Sequence, residues 1–216
     1  MKKESKRILS LAVCFLAAFV LWTVLVSLVD VRAIGPRDSV VGFATLNRLI
    51  HGLTGVNMEL YTITDWLGLV PVFFGMGFAV LGLVQWIKRK SILKADYSIL
   101  MLGLFYIVVI GVYILFENVV INYRPTLING YLEVSYPSST TMLVMCVMPT
   151  SAMQLNSRIK NNAFRKCVVV LINMFIAFMV TGRLISGVHW ITDIIGGALF
   201  SIGIVLMYRF IIDLKP

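Results

Sequence analysis

The sequence predicts an all-α integral membrane protein built as a bundle of six transmembrane helices. Of the 216 residues, 59% are hydrophobic and only 13% are charged, and the mean hydropathy is +0.92. A spanning helix needs about 20 mostly apolar residues. Stretches of that kind occupy 8–29, 65–87, 97–121, 138–155, 167–185 and 190–212. This composition excludes most classes of soluble protein.

The first stretch differs from a signal peptide, although four basic residues precede it. Its apolar length of about 22 residues exceeds the usual signal core of about 7–15 residues, and no small-x-small cleavage motif follows it. We therefore expect a retained span. With six spans, both termini lie on the same side of the membrane.

The distribution of lysine and arginine predicts which side that is, because basic residues favour the cytoplasmic side of a membrane. With both termini cytoplasmic, the inner segments hold 14 of the 19 basic residues, including every lysine. The inner set is Lys2, Lys3, Lys6, Arg7, Lys88, Arg89, Lys90, Lys94, Arg158, Lys160, Arg165, Lys166, Arg209 and Lys215, and the outer set is Arg32, Arg37, Arg48, Arg124 and Arg183. We predict an N-in, C-in orientation, which accounts for the net charge of +9 without a nucleic-acid partner.

The connections are short except for one outer segment, 31–64. From Ser39 to Ile50 its apolar side chains recur at approximate helical spacing, with Asn47 and Arg48 on the opposite face. This pattern predicts a short helix lying in the membrane interface. No other connection has room for a soluble unit, so we expect residues 1–216 to form a single integral-membrane domain.

Three groups of polar residues fall on the outer side, at 122–125, 136–141 and 181–193. Arg124 and Arg183 lie there near predicted helix ends, where the charge rule does not place them. A guanidinium matches the oxygens of a phosphate in bidentate fashion, which points to a phosphate ligand. Alternatively, each arginine extends to the interface or pairs with a carboxylate such as Glu117 or Asp193.

His189 and Asp193 stand four residues apart at the start of the last predicted span, so on a helix they share a face. An aspartate that accepts from one imidazole nitrogen would leave the other nitrogen free to attack a substrate. Placing an ionisable side chain in a membrane span costs free energy, so such residues usually have a function. Before span four, Pro137-Ser138-Ser139 marks a helix N-terminus, which either binds an anion or is an ordinary N-cap.

Together these residues resemble the three-part signature of the type 2 phosphatidic acid phosphatase superfamily. The matching motifs are Arg124-Pro125, then Pro137-Ser138, then Arg183-x5-His189-x3-Asp193. The resemblance covers about 65–212. It implies a six-span enzyme of the cell membrane that removes phosphate from lipid phosphates or pyrophosphates on the extracytoplasmic side, with no metal or cofactor. The roles it implies are attack on phosphorus by His189, orientation of that histidine by Asp193, and phosphate binding by Arg124, Arg183, Ser138 and Ser139.

Two positions depart from the family pattern. Glu117 stands where the first motif normally has a lysine, and Thr140 replaces the histidine that would protonate the leaving group. A threonine hydroxyl does not titrate near neutrality, and general acid catalysis is worth about 10²–10⁴-fold. Three compensations remain open. They are His51 in the outer segment, Glu117 if burial keeps it protonated, and a pyrophosphate substrate whose leaving phosphate needs less help.

These departures shape the functional hypothesis. We expect a phosphatase that prefers a polyprenyl or lipid pyrophosphate to phosphatidate. The alternative is a catalytically impaired family member that binds a phosphorylated membrane lipid as a sensor, partner or transport component. Retention of His189 and Asp193 favours the enzyme, since a binding protein has little need of an oriented nucleophile. A small transporter is disfavoured, because no pair of broken helices occurs in matching halves of the chain.

Overall fold

Helices make up nearly all of the fold in the computed structural model, which describes residues 3–214. The all-α class predicted from the sequence is confirmed. Lys2 and Lys215, counted above as cytoplasmic charges, lie outside the described residues. The elements are α1 (Lys3–Leu28), β1 (Arg32–Ala33), β2 (Val40–Val41), α2 (Ala44–Thr54), α3 (Met58–Leu67), α4 (Leu69–Arg89), α5 (Tyr97–Asn118), α6 (Ser139–Arg158), α7 (Asn162–Ile185) and α8 (Ile191–Asp213), with short 3₁₀ turns at Pro36–Asp38 and Ile92–Lys94.

Five helical stretches among the described residues are long and apolar enough to span a membrane, as expected of an integral membrane protein. They are α1, α3 together with α4, α5, α7 and α8. The stretch predicted as the fourth span is a helix of 20 residues, α6, but it is less apolar than the others. The count of six spans and the N-in, C-in orientation therefore stay predictions.

Helix α6 is polar because it is surrounded by protein. Ten of its residues are buried, including Thr150 and Gln154. The Thr150 hydroxyl lies 3.3 Å from the Tyr106 hydroxyl on α5, and the Gln154 side-chain amide donates to the Tyr208 hydroxyl on α8. Polar groups in a bilayer need such internal partners. The low hydropathy of α6 thus follows from its place inside the bundle.

Helices α1 and α8 pack closely along one another. The ring centroids of Phe19 and Phe200 lie 5.4 Å apart. At Gly203 an added Cβ would lie 2.8 Å from Cγ of Leu16, so the absence of a side chain permits this approach. Lipid tails are as apolar as these residues, so close packing, rather than removal from water, holds such helices together. The packing fixes α8, whose first turn carries part of the candidate site.

The predicted interfacial helix is present, but it begins later than expected. Helix α2 runs from Ala44 to Thr54, whereas the prediction began at Ser39 and ended at Ile50. Residues 40–41 instead pair with 32–33 in a two-stranded hairpin. Gly42 then touches the end of α1, where an added Cβ would lie 1.6 Å from the Val26 carbonyl oxygen. The helix starts only after the chain has passed this contact.

Asn47 lies on the inner face of α2, not on the exposed face where it was predicted. Its side chain is fully buried, and Nδ2 donates to the Gly42 carbonyl at 2.8 Å and to the Thr192 hydroxyl at 3.0 Å. Leu49 and Leu53 are exposed instead. A buried amide with two partners avoids the cost of an unsatisfied polar group. Asn47 therefore fastens α2 to the start of α8.

Helix α3 begins at Met58, inside the segment predicted to be a connection up to residue 64. The Asn57 side chain caps it by accepting from the Leu60 N–H at 2.9 Å. Farther along, an added Cβ at Gly182 would lie 2.9 Å from Cγ2 of Thr64, so α3 and α7 approach closely there. This approach sets Asp65 beside the end of α7.

Candidate active site

The connection between α5 and α6 folds back on itself and carries Arg124. Asn129 and Gly130 have positive φ angles of 51° and 81°, as in two-residue hairpin turns. The Arg124 N–H donates to the Glu133 carbonyl at 3.0 Å, so these residues face one another across the hairpin. Their side chains form an ion pair in which Arg124 Nε lies 3.0 Å from Glu133 Oε2.

The connection between α7 and α8 brings His189 to the same place. Gly187 has φ of 66°, and an added Cβ would lie 1.7 Å from the Gly55 carbonyl oxygen, so no other residue fits there. The indole Nε1 of Trp190 donates to the Tyr123 carbonyl at 2.7 Å. This bond ties the two connections together and sets the buried His189 beside Arg124.

The contacts of His189 define its tautomer. Arg124 Nη1 lies 3.2 Å from His189 Nε2. Because a guanidinium can only donate, Nε2 accepts through its lone pair and the ring proton resides on Nδ1. Nδ1 then donates to the Ser135 hydroxyl at 3.0 Å, and that hydroxyl donates to Asp193 Oδ2 at 2.5 Å. The imidazole is thus held neutral, and the nitrogen that carries its lone pair is turned toward Arg124.

Asp193 does not bond His189 directly, contrary to the expected aspartate–histidine hydrogen bond. His189 Nδ1 and Asp193 Oδ2 are 3.8 Å apart, too far for a hydrogen bond, and Ser135 bridges them. The expectation placed both residues on one helix, but α8 begins only at Ile191. His189 precedes that helix, so the one-turn spacing does not apply.

The buried Asp193 carboxylate is saturated with donors. Oδ2 accepts from the Trp190 N–H at 3.0 Å, in addition to Ser135. Oδ1 accepts from Asn122 Nδ2 at 3.2 Å and from the Thr192 hydroxyl at 3.5 Å. Four donors compensate the cost of burying this charge. The carboxylate is therefore a fixed anchor for the Ser135–His189 pair.

A cavity of about 430 Å³ opens onto His189. Of the residues predicted for the site, Arg124, Ser139, His189 and Glu117 line it, together with Glu133. Burial, and then the positive charges of Arg124 and Arg183, hold the pKa of His189 well below its usual value. The histidine is consequently unprotonated at neutral pH, as a nucleophile must be.

Arg183 lies behind the cavity instead of lining it. Its Nη2 forms an ion pair with Asp65 at 3.0 Å and donates to the Thr140 hydroxyl, and its guanidinium carbon lies 4.9 Å from the centre of the Tyr61 ring. Among residues 3–214, no hydrogen-bond acceptor meets the buried Nε of Arg183. Arg183 thus keeps one unused donor, although the Asp65 carboxylate already accompanies it.

The start of α6 divides the predicted phosphate-binding residues. Ser138 is fully buried and its hydroxyl accepts from the Thr141 N–H at 3.4 Å, which is the ordinary N-cap role. Ser139 lines the cavity. Thr140, at the position of the missing acid, accepts from Arg183. Of these three residues at the start of α6, only Ser139 therefore lines the His189 cavity in this resting arrangement.

Two of the three proposed compensations gain no support from the geometry. Glu117 lines the cavity but is exposed, so the burial that would keep it protonated is absent. The partner of Arg124 is Glu133, not Glu117. His51 Nε2 lies 3.2 Å from the Gly187 carbonyl, and its ring packs 5.4 Å from that of Trp190. His51 is not among the described residues that line the cavity.

Sequence reasoning missed three residues of the site, Ser135, Glu133 and Asp65, and it placed Asn122 in the first polar group without a role. One signal was available for two of them. Asn129-Gly130 is a strong hairpin-turn dipeptide, and a hairpin there brings the chain after it back toward Arg124. The roles of Asn122 and Asp65 depend on contacts with distant helices and have no local signal.

The region that carries these motifs is similar to the PAP2 superfamily. Residues 116–215 match the model of that superfamily. The recognition made from the motifs is therefore confirmed over the region that carries them. No curated protein sequence matches the chain.

A solved structure extends the likeness over nearly the whole chain. It is described as the first transmembrane PAP2-type phosphatidylglycerolphosphate phosphatase from Bacillus subtilis. The two structures align with a TM-score of 0.68 at 16% sequence identity, over 95% of this chain and 97% of that one. At this identity the match establishes a common fold.

Proposed function

We propose that the chain, as a single domain, is a lipid phosphatase of the cell membrane that works through a phosphohistidine at His189 on the extracytoplasmic side. Similarity to the PAP2 superfamily supports membrane lipid phosphatase activity in general. The observation that carries the specific mechanism is the contact chain from Arg124 through His189 and Ser135 to Asp193. Through these contacts an unprotonated nitrogen of His189 faces a cavity whose wall includes the Arg124 guanidinium, the proposed phosphate ligand.

The first chemical step follows from that arrangement. The phosphate of the lipid binds the Arg124 guanidinium and replaces His189 as its partner. The lone pair of His189 Nε2 then faces phosphorus. As the N–P bond forms, positive charge develops on the imidazole, and Asp193 stabilises it through the Ser135 hydroxyl. Ser139 and the free N–H groups at the start of α6 would bind the equatorial oxygens. Water then hydrolyses the phosphohistidine.

Arg183 would stabilise the negative charge of the same phosphate from a greater distance. It reaches a phosphate only if the substrate exchanges with Asp65 or Thr140 as its partner. Such exchange is reasonable at Asp65, whose side chain is 58% exposed. A phosphate with two or three negative oxygens competes well with one carboxylate for a guanidinium.

The substrate class follows from the leaving group. Thr140 accepts a hydrogen bond from Arg183 and supplies no titrating proton. A pyrophosphate releases a phosphate that is a far weaker base than an alkoxide, so it gains least from an acid. We therefore propose a polyprenyl or other lipid pyrophosphate as the preferred substrate, ahead of phosphatidate.

The protein purified in detergent should release phosphate from a polyprenyl pyrophosphate with kcat/KM about 10² times that for phosphatidic acid, the lower end of the usual value of general acid catalysis. Both lipids should be measured side by side by phosphate release. Faster turnover of phosphatidic acid would refute the preference.

One observation favours the binding alternative. Both arginines already have carboxylate partners, Glu133 for Arg124 and Asp65 for Arg183. A catalytically impaired member would bind a phosphorylated lipid by exchanging those partners and go no further. Lipid binding without release from either substrate, unaffected by His189→Ala, would establish that function instead.

The bridging serine should matter for rate. Ser135→Ala removes the acceptor of the His189 N–H and disconnects Asp193, so we expect kcat to fall about 10–100-fold, as for other groups that orient a reactive ligand. KM should change little, because the alanine leaves Arg124 in place. Single-turnover formation of the phosphoenzyme measures the effect directly.

Two further variants show whether the effect is specific to the Ser135 hydroxyl. Ser135→Thr keeps the hydroxyl and should recover part of the rate despite its extra methyl group in a buried position. Ser27→Ala removes an exposed serine hydroxyl of α1 and should behave as wild type. Equal losses in the alanine and threonine variants of Ser135 would mean that packing, not the hydroxyl, is required.

A further inference from the structure

The leaving oxygen needs a proton that Thr140 cannot supply, so another group of the site has to donate it. Carboxylates are the remaining candidates on the cavity wall, and two are present, Glu117 and Glu133. They differ in one respect. Glu133 contacts Arg124, the arginine that also contacts His189, whereas Glu117 pairs with neither arginine of the site.

Arg124 sets the spacing between Glu133 and the nucleophile. His189 Nε2 lies 3.2 Å from Nη1 of the guanidinium, and Glu133 Oε2 lies 3.0 Å from its Nε. Phosphoryl transfer places the attacking and leaving atoms roughly in line on opposite sides of phosphorus. An acid for the leaving oxygen must therefore stand apart from the nucleophile by about the width of the phosphoryl group. Glu133 and His189 contact different nitrogens of one guanidinium, so a phosphate bound to Arg124 would lie beside both side chains.

We propose that Glu133 is the general acid and base of the reaction, in place of the histidine that Thr140 replaces. This inference rests on the proposed function. In the first step His189 Nε2 forms a bond to phosphorus, the bond from phosphorus to the leaving oxygen breaks with its electron pair, and that oxygen takes the Glu133 proton. In the second step water attacks phosphorus, the N–P electron pair returns to His189, and Glu133 takes the proton of the water.

Substrate binding supplies the proton that Glu133 needs. In the resting site Arg124 forms an ion pair with Glu133. When a phosphate takes Arg124, Glu133 loses that partner and gains a negatively charged neighbour, and both changes favour the protonated form. The Glu133 side chain is 41% exposed, so the proton comes from solvent. The proposed acid is therefore formed only when a phosphate displaces Glu133 from Arg124.

This role reduces the advantage of a pyrophosphate without removing it. A carboxylic acid helps an alkoxide to leave, whereas a departing phosphate needs little help. Loss of Glu133 should therefore widen the preference for good leaving groups. A structural counter-ion would behave differently, since its removal frees Arg124 and favours every phosphate substrate alike.

Glu133→Gln tests the role through its dependence on the leaving group. We expect kcat/KM for phosphatidic acid to fall about 10²-fold, within the usual range for a general acid. For 4-nitrophenyl phosphate, whose leaving group needs no proton, kcat/KM should stay within about threefold, because this constant reports only the first step. The same variant should accumulate phosphoenzyme with 4-nitrophenyl phosphate, because the water has lost its base.

Matched variants and outcomes separate the possibilities. Glu59→Gln changes an exposed carboxylate in the first turn of α3, away from the cavity wall, and should match wild type. An equal change for both substrates in Glu133→Gln, or a gain for phosphatidic acid, would overturn the role of Glu133. The same leaving-group dependence in Glu117→Gln, absent from Glu133→Gln, would assign the acid to Glu117. No release by the wild-type protein would overturn the proposed function itself.

Discussion

Replacing His189 with alanine should lower kcat/KM for phosphate release by at least about 10³-fold, or ~4 kcal/mol of transition-state stabilisation. The expected loss is large because the mechanism splits hydrolysis into two steps at this nitrogen, which lies 3.2 Å from Arg124 Nη1. Substrate binding should persist, since the phosphate is held by cations. Phosphate release and lipid binding, measured on the same preparation, check both expectations.

Trapping the intermediate makes the histidine test specific. Wild-type protein quenched during turnover should carry an acid-labile, base-stable phosphate, and the His189→Ala variant should not. His51→Gln removes the other histidine of the chain, which contacts the Gly187 carbonyl instead of the cavity, and should keep the label. A label that is lost in His51→Gln but kept in His189→Ala would show that His51, and not His189, is the nucleophile.

Arg124→Gln should reduce kcat/KM by about 10³-fold, because the guanidinium both binds the phosphate and stabilises the charge that develops on its oxygens. Arg124→Lys should recover only part of the loss, since an ammonium lacks the bidentate fork. The fold should survive. The partner left behind, Glu133, is 41% exposed and keeps its hydration. Initial rates on the pyrophosphate lipid measure the effect.

A second arginine provides the control. Arg48 lies exposed on α2, in the segment predicted to be on the outer side, and is not among the described residues that line the cavity. Arg48→Gln should therefore leave the kinetics unchanged if the effect depends on the position of Arg124 and not on net charge. Similar losses in both variants would instead indicate long-range attraction of the anionic substrate.

Most of the helical architecture could be predicted from hydropathy. Long apolar stretches have few alternatives in a bilayer, so five of them became helices of spanning length. The boundaries around α2 could not be predicted, because they depend on contact between Gly42 and the Val26 carbonyl of a different helix. Asn47 was assigned to the wrong face for a similar reason. Its partner, Thr192, is 145 residues away.

The motif residues of the site could be placed near one another from the sequence, but their contacts could not. Spacing identified His189 and Asp193, yet the bond expected between them depends on where α8 begins, and the helix starts two residues too late. Ser135 was overlooked because a serine beside Tyr136-Pro137 has no distinguishing pattern. Its function is visible only once two separate connections meet at Trp190 and Tyr123.

The buried polarity of α6 has a consequence for the biogenesis of the protein. A translocon releases a helix into lipid according to its own apolar character, and α6 has too little to partition alone. Its hydrogen bonds to Tyr106 on α5 and Tyr208 on α8 come from helices on both sides in the chain. Because α8 is synthesised after α6, the Tyr208 partner of α6 is missing when α6 first leaves the ribosome. We therefore expect the stable placement of α6 to follow the synthesis of α8.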